Sequence, residues 1–452
     1  MIVLLGPDPA WRQLLAQAGL PFRVGRPDAR TRVLIAPAAA GPREVTAGLG
    51  AAAPGCGLLA EAGASLPGGA TPVEALAFRV EAATRVGRAR VRAFPSRAPR
   101  PVVERVAARD RGEARRQVTA AVRRLLDVQS LPCARLASTP AGGATALGFR
   151  VDTDYCGRAE LAQTRRLADE VGMSFSWFVN TEAHGPLLGE LGMLFAGQDV
   201  QVHCHRHEVF RSVRANRENV ARATAILSTH GLRAVGVASP YGDWNPSWDR
   251  ALAELGLVYA SDFVAGYDDL PFRPLLGDVL SPVLQVPVHP VCLGRLRAAR
   301  ASEDDIRDYY RRLVEHKVAL REPCLLYDHP TAIAAHHALL AGILRDARAA
   351  CGRTLSLTGY AEWWRRREQV RFEVAVEPDA VELAVGQGDE LVEVELEFRG
   401  RHARIPLRPG RYQLTGLSWQ AAVEPNAEPS ARVPLRTVLS ERLRQMRRQT
   451  RN

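Results

Sequence analysis

The stretch that decides the fold is Asp199-Val200-Gln201-Val202-His203-Cys204-His205-Arg206-His207. Val200 and Val202 alternate with polar neighbours, which predicts a short strand running into a turn. From about Glu208 to Leu227 the apolar positions Val209, Val213, Val220 and Ile226 mix with Arg, Asn and Glu, so a surface helix is expected to follow. Three histidines in five positions at a strand-to-helix junction suit a metal. Neutral imidazole is a common ligand, and a junction lets residues four apart converge on one point. His203 and His207 have that spacing. His205 shares their face if the strand continues, and points elsewhere if the chain curls after His203. A histidine-rich exposed turn is the plainer alternative, and partners elsewhere in the chain must decide.

Length and composition bound the rest. At 452 residues the chain exceeds one compact core and suggests two or three domains. The 46% apolar and 24% charged content is that of a soluble globular protein. A net charge of +11 raises nucleic acid as a partner. The basic residues are almost all arginine, with Lys317 the only lysine, and they are interleaved with acids along the chain. That spread speaks against a nucleic-acid surface, with Arg442 to Arg451 the one local exception. The seven cysteines (56, 133, 156, 204, 292, 324 and 351) contain no Cys-x-x-Cys pair and fit a reducing compartment. The opening Met-Ile-Val-Leu-Leu-Gly-Pro reads as a first β-strand and not a signal peptide, and no run approaches a membrane span. A cytoplasmic protein is expected.

Around the histidine stretch the chain divides by pattern. Residues 1–95 alternate strand-like runs (Ile2 to Leu5, Arg32 to Ala36, Gly57 to Leu59) with helical spacing at Pro42 to Leu49 and Pro72 to Ala83. A small, flavodoxin-like α/β domain with a parallel sheet is expected, with no chemistry assigned to it. Residues 96–128 read as a linker, Arg97 to Pro101, and a long charged helix from Val102 to Val128. Residues 129–367 alternate strands and helices and hold all the candidate chemistry. Residues 370–420 alternate with period two, punctuated by Gly386, Gly388, Gly400 and Gly410, and predict an antiparallel β-module. A polar, Arg-rich tail with one amphipathic helix is expected over residues 421–452.

The partners of the histidines lie some fifty residues upstream. In Ala146 to Tyr155, Phe149 and Val151 face one way, and Arg150, Asp152 and Asp154 the other. Two carboxylates on one face persist if solvated or if a cation sits between them. Asp154 could equally cap the helix that begins near Arg158. A strand ending in Asp-x-Asp, followed by one ending in His-x-x-x-His, resembles the polysaccharide deacetylases, the NodB-homology fold of carbohydrate esterase family four. The resemblance implies a distorted, incomplete (β/α) barrel, with Asp152 as general base and Asp154, His203 and His207 as ligands of a divalent metal. Zinc is the first expectation, with cobalt, nickel and iron as alternatives.

Further stretches extend the resemblance over roughly residues 130 to 367. Ala238-Ser-Pro-Tyr-Gly242 matches the family's Arg-x-Pro-Tyr-Gly, whose tyrosine backbone N–H helps hold an oxyanion, a role that falls to Tyr241. Ala238 departs from the family's arginine, which orients and tunes the base; Arg150 and Arg206 are the candidates to replace it. Tyr259-Ala-Ser-Asp262 sits at the fourth motif, and Asp262 is expected to contact substrate. Leu325-Leu-Tyr-Asp-His329-Pro330 resembles the last motif, whose histidine protonates the leaving group. His289, at another strand end, is either a substrate contact or a packed side chain. His184 and His230 are expected to be structural, His336-His337 a surface pair, and Trp363-Trp364 packing residues.

Together these residues imply a metal-dependent hydrolase that removes an N-acetyl group from an amino sugar or glycan precursor. One rival is hydrolysis of a non-carbohydrate C–N bond on the same fold. Another is a catalytically silent carbohydrate-binding or scaffold protein, which Ala238 and the flanking domains keep open.

Overall fold

Short apolar runs become strands, and those buried on both faces pair in parallel. Here β1 (Ile2–Leu4), β2 (Phe22–Val24), β3 (Val33–Ala36), β4 (Gly57–Ala60) and β5 (Val73–Ala75) form one parallel sheet. Its order, β2-β1-β3-β4-β5, is a doubly wound one. The computed structural model describes residues 1–64 and 71–423, so the expected tail beyond residue 423 lies outside the described residues. The helix expected over Pro72 to Ala83 is replaced by β5 and a short helix, Val80–Thr84. The reason is the open edge of β4, where Leu58 N donates to Pro72 O at 2.8 Å and draws this segment in as a strand.

The long helix expected from Val102 also divides. Residues 102–107 form β7 (Val102–Ala107), an antiparallel partner of β6 (Ala89–Phe94), with the expected linker as their connection. The helix is Arg111–Val128, and the Asp110 carboxylate caps it by accepting from Glu113 N at 2.9 Å. Val102, Val103 and Val106 favour a pleated surface, and Asp110 is the true helix start.

The next strand, β8 (Cys133–Leu136), stands apart from the barrel and pairs antiparallel with the later β-module. The barrel itself is built from β9 (Leu147–Asp152), β10 (Ser176–Val179), β11 (Asp199–Val202), β12 (Gly236–Val237) and β13 (Tyr259–Ala260). A hairpin of β14 (Leu275–Leu276) and β15 (Val279–Leu280) intervenes before β16 (Leu284–Gln285) and β17 (Cys324–Asp328) complete it. The seven strands run in the order β16-β13-β12-β11-β10-β9-β17, all parallel. This is an incomplete (β/α) barrel: β16 and β17 are the edges of the sheet, and beyond β16 His289 N donates to Leu325 O of β17 at 2.7 Å. The helix after the histidine stretch is Val213–Thr229, starting at its Ser212 cap, later than the pattern suggested.

The module comprises β18 (Arg371–Val376), β19 (Ala380–Gln387), β20 (Glu393–Phe398), β21 (Arg401–Pro406), β22 (Gly410–Gln413) and β23 (Gln420–Ala421). It forms two antiparallel sheets, β18-β19-β22 and β23-β21-β20-β8. Trp363 and Trp364 are buried in the cluster that joins module and barrel, as packing residues. No described helix is long and apolar enough to cross a membrane.

One buried acid in the barrel sets a pH dependence. Asp249, on the helix Pro246–Glu254, is 0% exposed, with the side chains of Ser281 and Trp244 beside its carboxylate. Burial pushes its carboxyl up to about 6. An acid whose folded pKa exceeds its unfolded value of about 3.9 favours the fold while protonated, and that contribution is lost as pH rises from about 4 through 6. Asp249→Asn should therefore gain on the parent between pH 4.5 and pH 7.5 by about 1–3 kcal/mol, at about 1.4 kcal/mol per pKa unit. Denaturant unfolding at both pH values checks this, because any packing cost of the amide is common to the two. An unchanged difference between parent and variant would refute it.

Candidate functional site

The carboxyl ends of β9, β11, β12 and β17 meet at one end of the barrel, where parallel strands leave backbone and side chains open to a ligand. β9 delivers Arg150 and Asp152 on one face. The chain then turns sharply, with Asp154 at φ 44°, a left-handed conformation uncommon for a non-glycine residue. The turn brings the Asp154 carboxylate back over the strand ends. After β11 a second left-handed residue, Cys204 (φ 65°), curls the chain. It sends His203 and His207 to one point and turns His205 away, its Nδ1 lying 3.1 Å from Thr181 Oγ1. A third, Tyr241 (φ 59°), lies in the short turn Pro240–Gly242 after β12. Three such residues at one strand-end cluster mark a site where the surrounding structure holds the backbone in place.

The ligand geometry is tight. His203 Nε2 and His207 Nε2 lie 3.0 Å apart, and each approaches Asp154 Oδ1, at 3.0 and 3.1 Å. His203 Nδ1 donates to Ala238 O at 2.9 Å, which leaves Nε2 with its lone pair toward the cluster when the ring is neutral. Burial raises the cost of a charged Asp154, but the two imidazoles outweigh it and hold the carboxyl far below the usual carboxylate range. Burial lowers His207, favouring the neutral ring that a metal needs. Two imidazole nitrogens and one carboxylate oxygen converging in this way fit a divalent cation with open positions, and the donor set suits zinc or its neighbours.

Asp152 sits beside this triangle, held by Arg150. Arg150 Nε and Nη2 donate to Oδ1 and Oδ2, both at 2.6 Å, and Nη1 donates to Ser261 O at 2.7 Å. Burial penalises the charged Asp152, yet Arg150 and then His203 lower its pKa overall. Arg206 lies over the Phe210 ring and beside Glu208.

His329 follows β17. Its Nε2 is 3.6 Å from Asp154 Oδ2, its Nδ1 3.9 Å from Asp328 Oδ1, and its side chain is 34% exposed. Burial opposes its charged form, but Cys292 and the carboxylates of Asp154 and Asp152 outweigh it and push the imidazole up to about 10. Asp328 is a structural acceptor, bonded by Leu293 N and His329 N at 2.8 Å each, and burial raises it to about 6. Cys292 beside His329 was invisible in the sequence, because it lies 37 positions upstream and no motif links the two. Two exposed aromatics complete the rim. Tyr155 (64% exposed) and Tyr241 (47%) both stand edge-on to His207, with ring centroids 5.6 and 4.7 Å away.

Two expected substrate contacts are placed elsewhere. Asp262 is buried beneath the Ser239 turn, accepting from Ser239 N at 3.1 Å, Trp248 Nε1 at 3.2 Å and Gln285 Nε2 at 3.0 Å. Buried beneath these donors, its carboxylate supports the turn. His289 has both ring nitrogens engaged, Nδ1 with Asp268 Oδ2 at 2.6 Å and Nε2 with Tyr309 Oη at 2.8 Å. It lines a separate cavity of about 830 Å³ that none of Asp152, Asp154, His203, His207 or His329 borders. His184 is buried, with Nε2 3.9 Å from Cys156 Sγ, and is structural.

No protein-family model matches the chain. No curated protein matches it either. In fold it is similar to a structure assigned as a polysaccharide deacetylase from Mycobacterium smegmatis, at 17% identity and a TM-score of 0.44, covering 51% of this chain and 94% of that one. A second, assigned as a polysaccharide deacetylase from Pseudomonas aeruginosa PAO1, aligns at 18% identity and a TM-score of 0.43, over 50% and 92% of the two chains. The Puue allantoinase aligns with the same identity, TM-score and coverage. Each likeness is one of fold and spans about half of this chain.

Proposed function

We propose that this protein is a metal-dependent deacylase that hydrolyses the N-acetyl amide of an amino sugar. The observation that carries this is the convergence of Asp154, His203 and His207 into a 3.0–3.1 Å triangle, with Asp152 and His329 at the same strand ends. In this reading Asp154 Oδ1 and the Nε2 atoms of His203 and His207 hold a divalent cation. When bound, such a cation supplies a Lewis acid that acidifies water and polarises an acyl carbonyl. Asp152, kept ionised by Arg150, accepts the proton of the attacking water. The backbone N–H of Tyr241 helps carry the negative charge that develops on the acyl oxygen. The water oxygen bonds to the acyl carbon first; His329 then gives its proton to the nitrogen as the oxyanion collapses and the C–N bond breaks, so acetate and a free amine leave.

The carbohydrate half of the proposal is supported by Tyr155 and Tyr241. Exposed tyrosines offer an apolar ring face and a polar tip, which suits a pyranose with its mixed faces. Seven free thiols, six of them buried, fit a reducing compartment. A cytoplasmic, nucleotide- or lipid-linked N-acetyl sugar is the substrate class we infer.

The test is acetate release from N-acetylated sugars and their nucleotide-linked forms by protein loaded with zinc or cobalt. Turnover should fall to background on chelation and return with metal. Metal-loaded protein that cleaves only the C–N bonds of non-carbohydrate compounds would favour the non-carbohydrate rival. Release from neither class would favour a silent binding protein.

A further inference from the structure

We propose that Arg150 is the positioning residue that keeps Asp152 out of the metal's coordination shell, and so gives two carboxylates two residues apart different work. This rests on the deacylase reading above. The problem it solves is electrostatic. A carboxylate beside a dication, on the same strand end as the carboxylate that binds it, is drawn in as a further ligand unless a competing cation holds it. Ala238, after β12, presents only a buried methyl group and cannot serve as that cation.

Arg150 supplies that competitor from within β9. Side chains at i and i+2 share a strand face, and an arginine can fold back over that spacing. Its Nε and Nη2 grip the two Asp152 oxygens at 2.6 Å each, a fork-to-fork pair that fixes both oxygens and leaves each a second lone pair. Nη1 is tied to Ser261 O at 2.7 Å and Ser261 Oγ at 3.0 Å. The guanidinium lies 5.2 to 5.5 Å from the ring centroids of Phe178, Phe263 and Tyr327. Wholly buried, bonded on three nitrogens and walled by aromatic rings, Arg150 cannot swing away, so neither can Asp152. Lysine, with a point charge and no fork, would hold one oxygen and release the other.

The test is a double-mutant cycle on metal affinity, which needs no substrate. Zinc and cobalt dissociation constants are measured for the parent, Asp152→Asn, Arg150→Met and the double variant Arg150→Met/Asp152→Asn. In the parent background Asp152→Asn should change the constant less than about threefold. In the Arg150→Met background the same change should weaken binding about tenfold or more, because Asp152 has become a ligand. Through-space loss of the Asp152 charge is common to both backgrounds and cancels in the cycle. The visible spectrum of cobalt-loaded Arg150→Met should also shift from that of the parent, and revert in the double variant. Arg150→Lys provides the same cycle with the charge retained, should the methionine variant fail to fold; the coupling there should have the same sign and smaller size. Equal effects of Asp152→Asn in all backgrounds would overturn the proposal. Parent protein that binds no metal, or Asp154→Asn that binds it as tightly as the parent, would instead overturn the deacylase reading beneath it.

Discussion

Asp152→Asn is expected to retain its metal and lose on the order of 10²–10⁴ in turnover, the usual worth of a positioned general base. The amide keeps the shape of the carboxylate and can still accept from Arg150, but it cannot take a proton at neutral pH. Asp154→Asn is expected to lose metal and turnover together, because Asp154 Oδ1 is the oxygen on which both imidazoles converge. The contrast between the two variants is the informative quantity. Both remove one charge from the same turn of chain, so a merely electrostatic effect would move them alike. Metal content by atomic emission and acetate release measured on the same preparations decide the matter. If Asp152→Asn turns over like the parent on a substrate the parent cleaves, the general-base role is lost.

His203→Ala and His207→Ala should each weaken zinc or cobalt binding by more than about a hundredfold. Loss of a partner that only orients a ligand typically costs 10–100-fold, and loss of a ligand itself exceeds that. His205→Ala should keep most of its metal. The left-handed turn at Cys204 points His205 to Thr181, on the far side of the chain from the triangle. The three variants are matched in chemistry and lie within five residues, so nonspecific loss of stability is shared among them. Metal titration with a competing chromophoric chelator separates them. If His205→Ala loses metal as fully as His203→Ala, the strand stays extended in solution and the wrong pair has been named. If neither outer histidine matters, the site is not here.

The candidate ligands could be named in the sequence because their motifs rest on local spacing, which the family resemblance then joined into one set. An Asp-x-Asp at one strand end and a His-x-x-x-His at another need only the strand period and a turn to be recognised. Alternating strands and helices over residues 129–367 followed from short apolar runs alternating with helical ones, and the barrel form was what the family resemblance implied. Fully buried strands such as β9 and β17 carried that signal most clearly. Patterns of this kind are set by each segment's own need to bury one face, so they survive without knowledge of neighbours.

What tertiary structure alone decided was pairing across distance. Residues 73–75 became a strand because the edge of β4 was open, and 102–107 because β6 lay beside them. β8 joined the module, nearly 260 residues further on, through Leu136 opposite Val394. Asp262 and His289 carried polar, strand-end signatures like those of the site residues, yet buried donors and acceptors on other elements claimed them. Arg150 and Arg206 were equal candidates for Asp152 by sequence. The strand geometry, with Ser261 and three aromatic rings closing round the guanidinium, chose Arg150. A buried polar group must find its partner wherever the fold brings one, and the linear sequence contains the partners but not their meeting.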